Sequence, residues 1–145
     1  MFVFVDDFLG TGRQFRELVE QESLQWMFSS AYIVYAPFAA HEFGVRTLKK
    51  EFPQLRIASA ELLDERHGIF EPRSRCFDDG INTPAAARDF YFELIQRKGL
   101  KVQQINSLGF GGLGLAYAFE HAIPDNNLPI LWALGKETWT PLFDR

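Results

Sequence analysis

The sequence predicts an α/β domain with a mostly parallel sheet flanked by helices. Short apolar, β-prone runs alternate with segments of helical periodicity along the first hundred residues. Proline and glycine punctuate the boundaries between them. No internal repeat or long linker divides the 145 residues, so one domain spanning 1–145 is the economical reading.

Each element has its own signal. Residues 2–5 (FVFV) read as a strand buried on both faces. Phe15, Leu18, Val19 and Trp26 recur at helical spacing over residues 13–25, with Glu17, Glu20 and Glu22 mostly elsewhere around the axis. Residues 31–37 (AYIVYAP) form a second buried strand that Pro37 should stop. Val45, Leu48 and Phe52 mark one face of a second helix, closed by Pro53. Residues 55–60 (LRIASA) make a third strand, followed by an irregular, charged stretch over 64–80. The third helix is the best signalled: Thr83 can cap it, Pro84 suits its first position, and Arg97, Lys98 and Gly99 close it. Beyond it, residues 114–122 (GLAYAFEHA) and 129–134 (PILWAL) read as two strands joined by a turn at 123–127.

Composition narrows the function classes. A formal net charge of −4 argues against direct nucleic-acid binding, which relies on clustered Lys and Arg. Cys76 is the single cysteine, so no intrachain disulfide can form, as suits a reducing, cytoplasmic setting. No apolar run approaches the length of a membrane span.

The chemistry concentrates at the start, in VFVDDFLGTG, residues 3–12. In an open parallel sheet, ligands sit beyond the carboxyl ends of the strands, and Asp6 and Asp7 fall there. The turn Leu9, Gly10, Thr11, Gly12 runs straight into a helix, so its N–H groups and the helix's positive end can face one anion, with Arg13 adding charge. Gly10 and Gly12 allow close approach, and the Thr11 hydroxyl offers a donor. Two carboxylates beside a phosphate cradle suit a sugar phosphate, whose hydroxyls donate to the acids while its phosphate occupies the glycine loop. The bland alternative is an acidic, glycine-rich capping turn. A phosphatase of the haloacid type needs Asp-x-Asp, and Phe8 stands where its second acid belongs. A receiver domain needs an acceptor Asp ending its third strand, and LRIASA has none.

The pattern of apolar strand, Asp-Asp, two residues and Thr-Gly resembles the phosphoribosyl-pyrophosphate motif of type I phosphoribosyltransferases. That resemblance implies that Asp6 and Asp7 hold the ribose 2′- and 3′-hydroxyls and that Gly10, Thr11 and Gly12 hold the 5′-phosphate, with Mg²⁺ accompanying the pyrophosphate. Toward the end, SLGFGGLGLAYAFEHAIPDNNLPILWAL (107–134) and WTPLFDR (139–145) are similar to segments of the phosphoribosyltransferase-like PRTase-CE proteins of bacterial conflict and anti-phage loci. In PDNNLP, Pro124, Asn126, Leu128 and Pro129 match the pattern, while Asp125 and Asn127 depart from it. The resemblance implies transfer of phosphoribose to a nucleobase or amine, or alternatively a non-catalytic nucleotide-sensing or interaction module in a defence complex. In type I enzymes further strands precede the ribose-phosphate strand, and here only Met1 does. The expectation is the carboxyl-terminal portion of that fold, with an exposed edge completed by a missing amino-terminal segment, a protein partner or a second copy.

Other features carry less. GFGGLG (109–114) fits the dinucleotide fingerprint formally but lacks the leading strand and following acid, so a loop over the site is the better reading. His41, His67 and His121 have no metal-ligand spacing, and His41 best suits surface or capping duty. Cys76 reads as a buried or idle thiol, and Arg73, Arg75, Asp78 and Asp79 as a solvated loop. Trp132, Trp139 and Phe143 suit core packing.

Overall fold

In the computed structural model, residues 1–77, 79–136 and 139–143 are described. The chain divides into two compact units, Met1–Asp64 and Glu65–Arg145. The first is α/β with a parallel sheet. Strand β1 (Phe2–Leu9) leads through a turn into helix α1 (Arg13–Gln21), then a short 3₁₀ turn (Leu24–Trp26) and helix α2 (Met27–Ser30). Strand β2 (Ile33–His41) runs directly into helix α3 (Glu42–Glu51), followed by the short strands β3 (Arg56–Ile57) and β4 (Glu61–Leu63).

All pairings are parallel. β2 is flanked on one side by β1, with Phe4 beside Tyr35 and Leu9 beside Ala40, and on the other by β3 and then β4. Phe15 and Val19, buried on α1, and Leu48, buried on α3, join Leu9, Ile33, Tyr35 and Ala40 in one core. Phe15 stacks on Tyr35 at 4.4 Å between ring centroids and meets Phe4 and Phe52 edge-on.

Several details depart from the sequence reading. β1 continues to Leu9, so both acids lie inside the strand. It is not buried on both faces: Val3 and Val5 are exposed, Val5 at 82%. Among the described residues β1 pairs with β2 alone and forms a sheet edge, as the reading of an exposed first strand requires. Pro37 does not stop β2. It sits between Val34–Tyr35, which pair with β3, and the residues from Ala39 that pair with β4, so its missing N–H falls at the gap. Of the strand expected over 55–60 only Arg56–Ile57 forms, as β3, and β4 follows beyond that range at Glu61–Leu63. The first helix ends at Gln21, because Ser23 adopts a left-handed φ of 53° that α-helical geometry cannot include.

The second unit is built around helix α4 (Pro84–Lys98). The Thr83 hydroxyl caps it, accepting from the Ala86 N–H at 3.2 Å. Tyr91, Leu115, Ile123, Leu128 and Ala133 are buried there. The two strands expected over 114–122 and 129–134 do not form. Leu115 and Asn127 make an isolated bridge, and Pro129–Leu131 is a 3₁₀ turn. The amide of Tyr117, which a ladder would need, is taken by the side-chain oxygen of Asn127, and Pro129 has no N–H to give.

Candidate functional site

The site is assembled where β1 and β2 end together. Asp6 and Asp7 lie inside β1, two to three residues short of its carboxyl end at Leu9, rather than beyond the strand as the sequence suggested, and the chain then crosses to α1 through Gly10, Thr11 and Gly12. Gly12, at φ 83°, supplies the left-handed bend that opens the helix. The loop lies hard against α3: a Cβ on Gly44 would come within 2.4 Å of the Gly10 carbonyl oxygen, and one on Gly12 within 2.9 Å of the Leu48 side chain. A glycine inside α3 therefore lets helix and loop touch backbone to backbone.

Among the described residues, the N–H groups of Gly10, Thr11 and Gly12 have no intramolecular acceptor. The Thr11 hydroxyl accepts a long bond, 3.4 Å, from the Arg13 N–H, and the Gly12 carbonyl accepts from Arg16. Gly10 and Gly12 are buried, so unused donors there are costly unless something fills them. Leu9 turns its side chain into the core at 2% exposure, and as the last residue of β1 it pairs beside Ala40. Arg13 lies along α1 and pairs with Glu17 one turn on.

The two acids are not equivalent. Asp7 is exposed. Asp6 is half-buried: its Oδ2 accepts from the Tyr35 hydroxyl at 2.6 Å, and its Oδ1 accepts from the Asp7 N–H at 2.8 Å. Burial pushes the Asp6 carboxyl above the ordinary carboxylate range and the adjacent Asp7 adds to that, against the opposing pull of the Tyr35 hydrogen bond. Tyr35, at 2% exposure, is held far above the usual phenol value by burial and by the carboxylate it serves, so it stays a donor. Tyr35 and Gly44 escaped the sequence reading. Only the β1–β2 register reveals the first, whereas a glycine inside a helical pattern was a readable signal for the second.

A family model, PRTase-CE, matches the whole chain, residues 1–145. The chain belongs to the PRTase-CE family. It is thus phosphoribosyltransferase-like in fold as the opening motif and closing segments suggested, and the parallel sheet with flanking helices fits that family. No curated protein matches the chain, and no solved structure does.

The remaining candidates in this PRTase-CE chain resolve into local structure. His41 is buried and caps α3, its Nδ1 accepting from the Phe43 N–H at 3.2 Å. GFGGLG leads neither from a strand nor into an α-helix. It is tied to the PDNN turn, Phe110 donating its N–H to Asp125 and accepting from the Asn126 amide at 2.8 Å. Arg73 pairs with Glu65, and Cys76 is exposed rather than buried. Asp79 accepts from the Asn82 and Ile81 amides of its own loop, which hold its carboxyl below the ordinary range. Asp78, Asp144 and Arg145 lie outside the described residues. The indoles of Trp132 and Trp139 donate to Asn127 and Ala133 carbonyls and serve packing. Among the described residues, no helix is long and apolar enough to cross a membrane.

Proposed function

We propose that this chain binds a ribose 5-phosphate ligand such as phosphoribosyl pyrophosphate, at Asp6, Asp7 and the 9–13 turn, and transfers its phosphoribosyl group to a nucleobase or amine in the cytoplasm. One observation carries the reading: a pair of carboxylates adjoins a loop whose three buried or half-buried amides have no acceptor. Carboxylates accept from a sugar diol and free amides donate to a phosphate, and a ribose 5-phosphate carries both partners.

The transfer forms a bond between the nucleophile's lone pair and the anomeric carbon and breaks that carbon's bond to pyrophosphate, which leaves with the electron pair. Positive charge develops on the sugar, so the acids contribute by orienting the diol and by their field. Magnesium fits this site only as a companion of the ligand. Among the described residues no three His, Cys, Asp or Glu side chains gather into a metal site, whereas magnesium is commonly held by substrate phosphates and water with one or two carboxylates. When bound with pyrophosphate it neutralises the leaving group.

A second reading, a non-catalytic sensing or interaction module in a defence complex, is favoured by the exposed apolar edge of β1, which suits a partner strand or a second copy. Titration calorimetry with phosphoribosyl pyrophosphate and Mg²⁺, paired with a pyrophosphate-release assay, separates the readings. Binding with release that Asp7→Asn abolishes supports transfer, and binding without release under any acceptor supports the module. No heat from the folded chain removes transfer and nucleotide sensing, and leaves the protein-interaction module.

A further inference from the structure

The hydrogen bond that ties the core to the acid pair has a consequence beyond ligand binding itself. Tyr35 is buried on β2, fixed by its stack on Phe15 of α1, and its hydroxyl reaches Oδ2 of Asp6 across the strand pair. The Asp7 N–H holds the other oxygen. Both oxygens of Asp6 are thereby fixed in direction, while Asp7 stands exposed. We propose that Tyr35 is a positioning residue, which orients Asp6 as a fixed acceptor for a ribose hydroxyl, so that the two acids divide into an anchored and an outward-facing member. The ribose part of this rests on the proposed function above; the effect on Asp6 does not.

Ionisation is where the tyrosine matters most. Half-burial and the neighbouring acid both favour the protonated form of Asp6, and a protonated acid is a poor acceptor for a hydroxyl. The titratable groups that act on Asp6 are Asp7 on its own strand and Tyr35 on β2. Of the two side chains only Tyr35 favours the charged form, by donating to it, with the Asp7 backbone N–H adding a smaller pull the same way. A neutral phenol that stays protonated does this without adding a charge that would compete for the ligand.

The test uses the full chain and the Tyr35→Phe variant, which keeps the ring and its stack on Phe15. The Asp6 carboxyl carbon is titrated by NMR without ligand, and phosphoribosyl pyrophosphate with Mg²⁺ is titrated by calorimetry across the same pH range. The expected result is an Asp6 midpoint at higher pH in Tyr35→Phe, with affinity reduced about tenfold at the acidic end and recovering as pH rises. An unchanged Asp6 midpoint overturns the proposal. So does a loss of affinity uniform in pH and matched by a fall in thermal stability, which is what a merely structural tyrosine gives. If the wild-type chain binds no ligand, the proposed function fails, and the Asp6 midpoint still decides the role of Tyr35.

Discussion

The contact between Gly44 and the 10–12 loop offers the sharpest test of the site's construction. Replacing Gly44 by Ala places a methyl group 2.4 Å from the Gly10 carbonyl oxygen, 3.0 Å from its carbonyl carbon and 3.0 Å from Leu9 Cδ1. Ordinary contact lies near 3.5 Å, so loop and helix must separate by roughly 1 Å. No rotamer change relieves this, because the nearest atom is backbone. Two effects oppose each other. Alanine in place of glycine inside a helix gains about 1 kcal/mol, whereas overpacking costs about 1–3 kcal/mol, toward the upper end where the obstacle cannot rotate away. The net loss is about 1–2 kcal/mol, which lowers the thermal midpoint by roughly 3–6 °C for a chain of this size. Because the displaced atoms belong to Gly10, affinity for phosphoribosyl pyrophosphate should fall by more than stability accounts for. Differential scanning fluorimetry and calorimetry at a temperature where the variant is fully folded measure the two effects. A Gly44→Ala protein as stable as wild type with unchanged affinity would refute the close approach and its role in shaping the loop.

Further predictions concern charge and a buried amide. The Asp6 carboxyl is raised in the folded chain, so the folded state holds its proton more tightly than the unfolded state; this contribution to stability is greatest at low pH and declines as pH rises from the ordinary carboxylate value through the folded one. Asp6→Asn should flatten that decline and leave the protein at least as stable at neutral pH while weakening ligand binding, as chemical denaturation at several pH values would show; a steep loss of neutral-pH stability would contradict it. Asn127, fully buried at 0% exposure, serves the Tyr117 amide, and its own amide donates to the Pro124 carbonyl at 2.8 Å. Asn127→Ala should cost about 2–3 kcal/mol in urea unfolding, and a loss under 0.5 kcal/mol would mean that water replaces the amide at little expense.

The sequence was most legible where local rules decide the outcome. Thr83, Pro84 and Gly99 bracket α4, and Pro53 follows α3 closely, because caps and breakers act through their immediate neighbours. Asp6, Asp7 and the 10–12 turn were readable as a group for the same reason, since a strand leading through glycines into a helix is a local construction. What escaped was set by partners distant in sequence. Pro37 is tolerated in β2 because β3 ends and β4 begins beside it, which nothing near residue 37 announces. The segment 114–122 has the residue preferences of a strand, but a side chain in the following turn captures its Tyr117 amide. Tyr35 looked like core in AYIVYAP, and only the pairing of β1 with β2 places its hydroxyl on Asp6.

The juxtaposition of acids and amides also constrains which ligands the pocket can favour. A bare anion seated on the 10–12 amides gains the unused donors and the helix end, yet Asp7, and Asp6 whenever that acid is ionised, lie a few residues back along β1 and oppose it. At a strand rise of about 3.3 Å per residue the nearer acid is about 10 Å from the loop, where like charges near a protein surface repel by roughly 1–2 kcal/mol. Protonating Asp6 eases the repulsion, and the raised Asp6 carboxyl already leans that way, but Tyr35 pulls it back. A ligand that donates hydroxyls to the carboxylates removes the conflict instead of moving it, since each acid then gains an acceptor role in the same act that fills the loop. On the proposed function, the acid pair acts as a filter that admits an anion well only when a diol comes attached to it, with Tyr35 holding Asp6 in place for that diol.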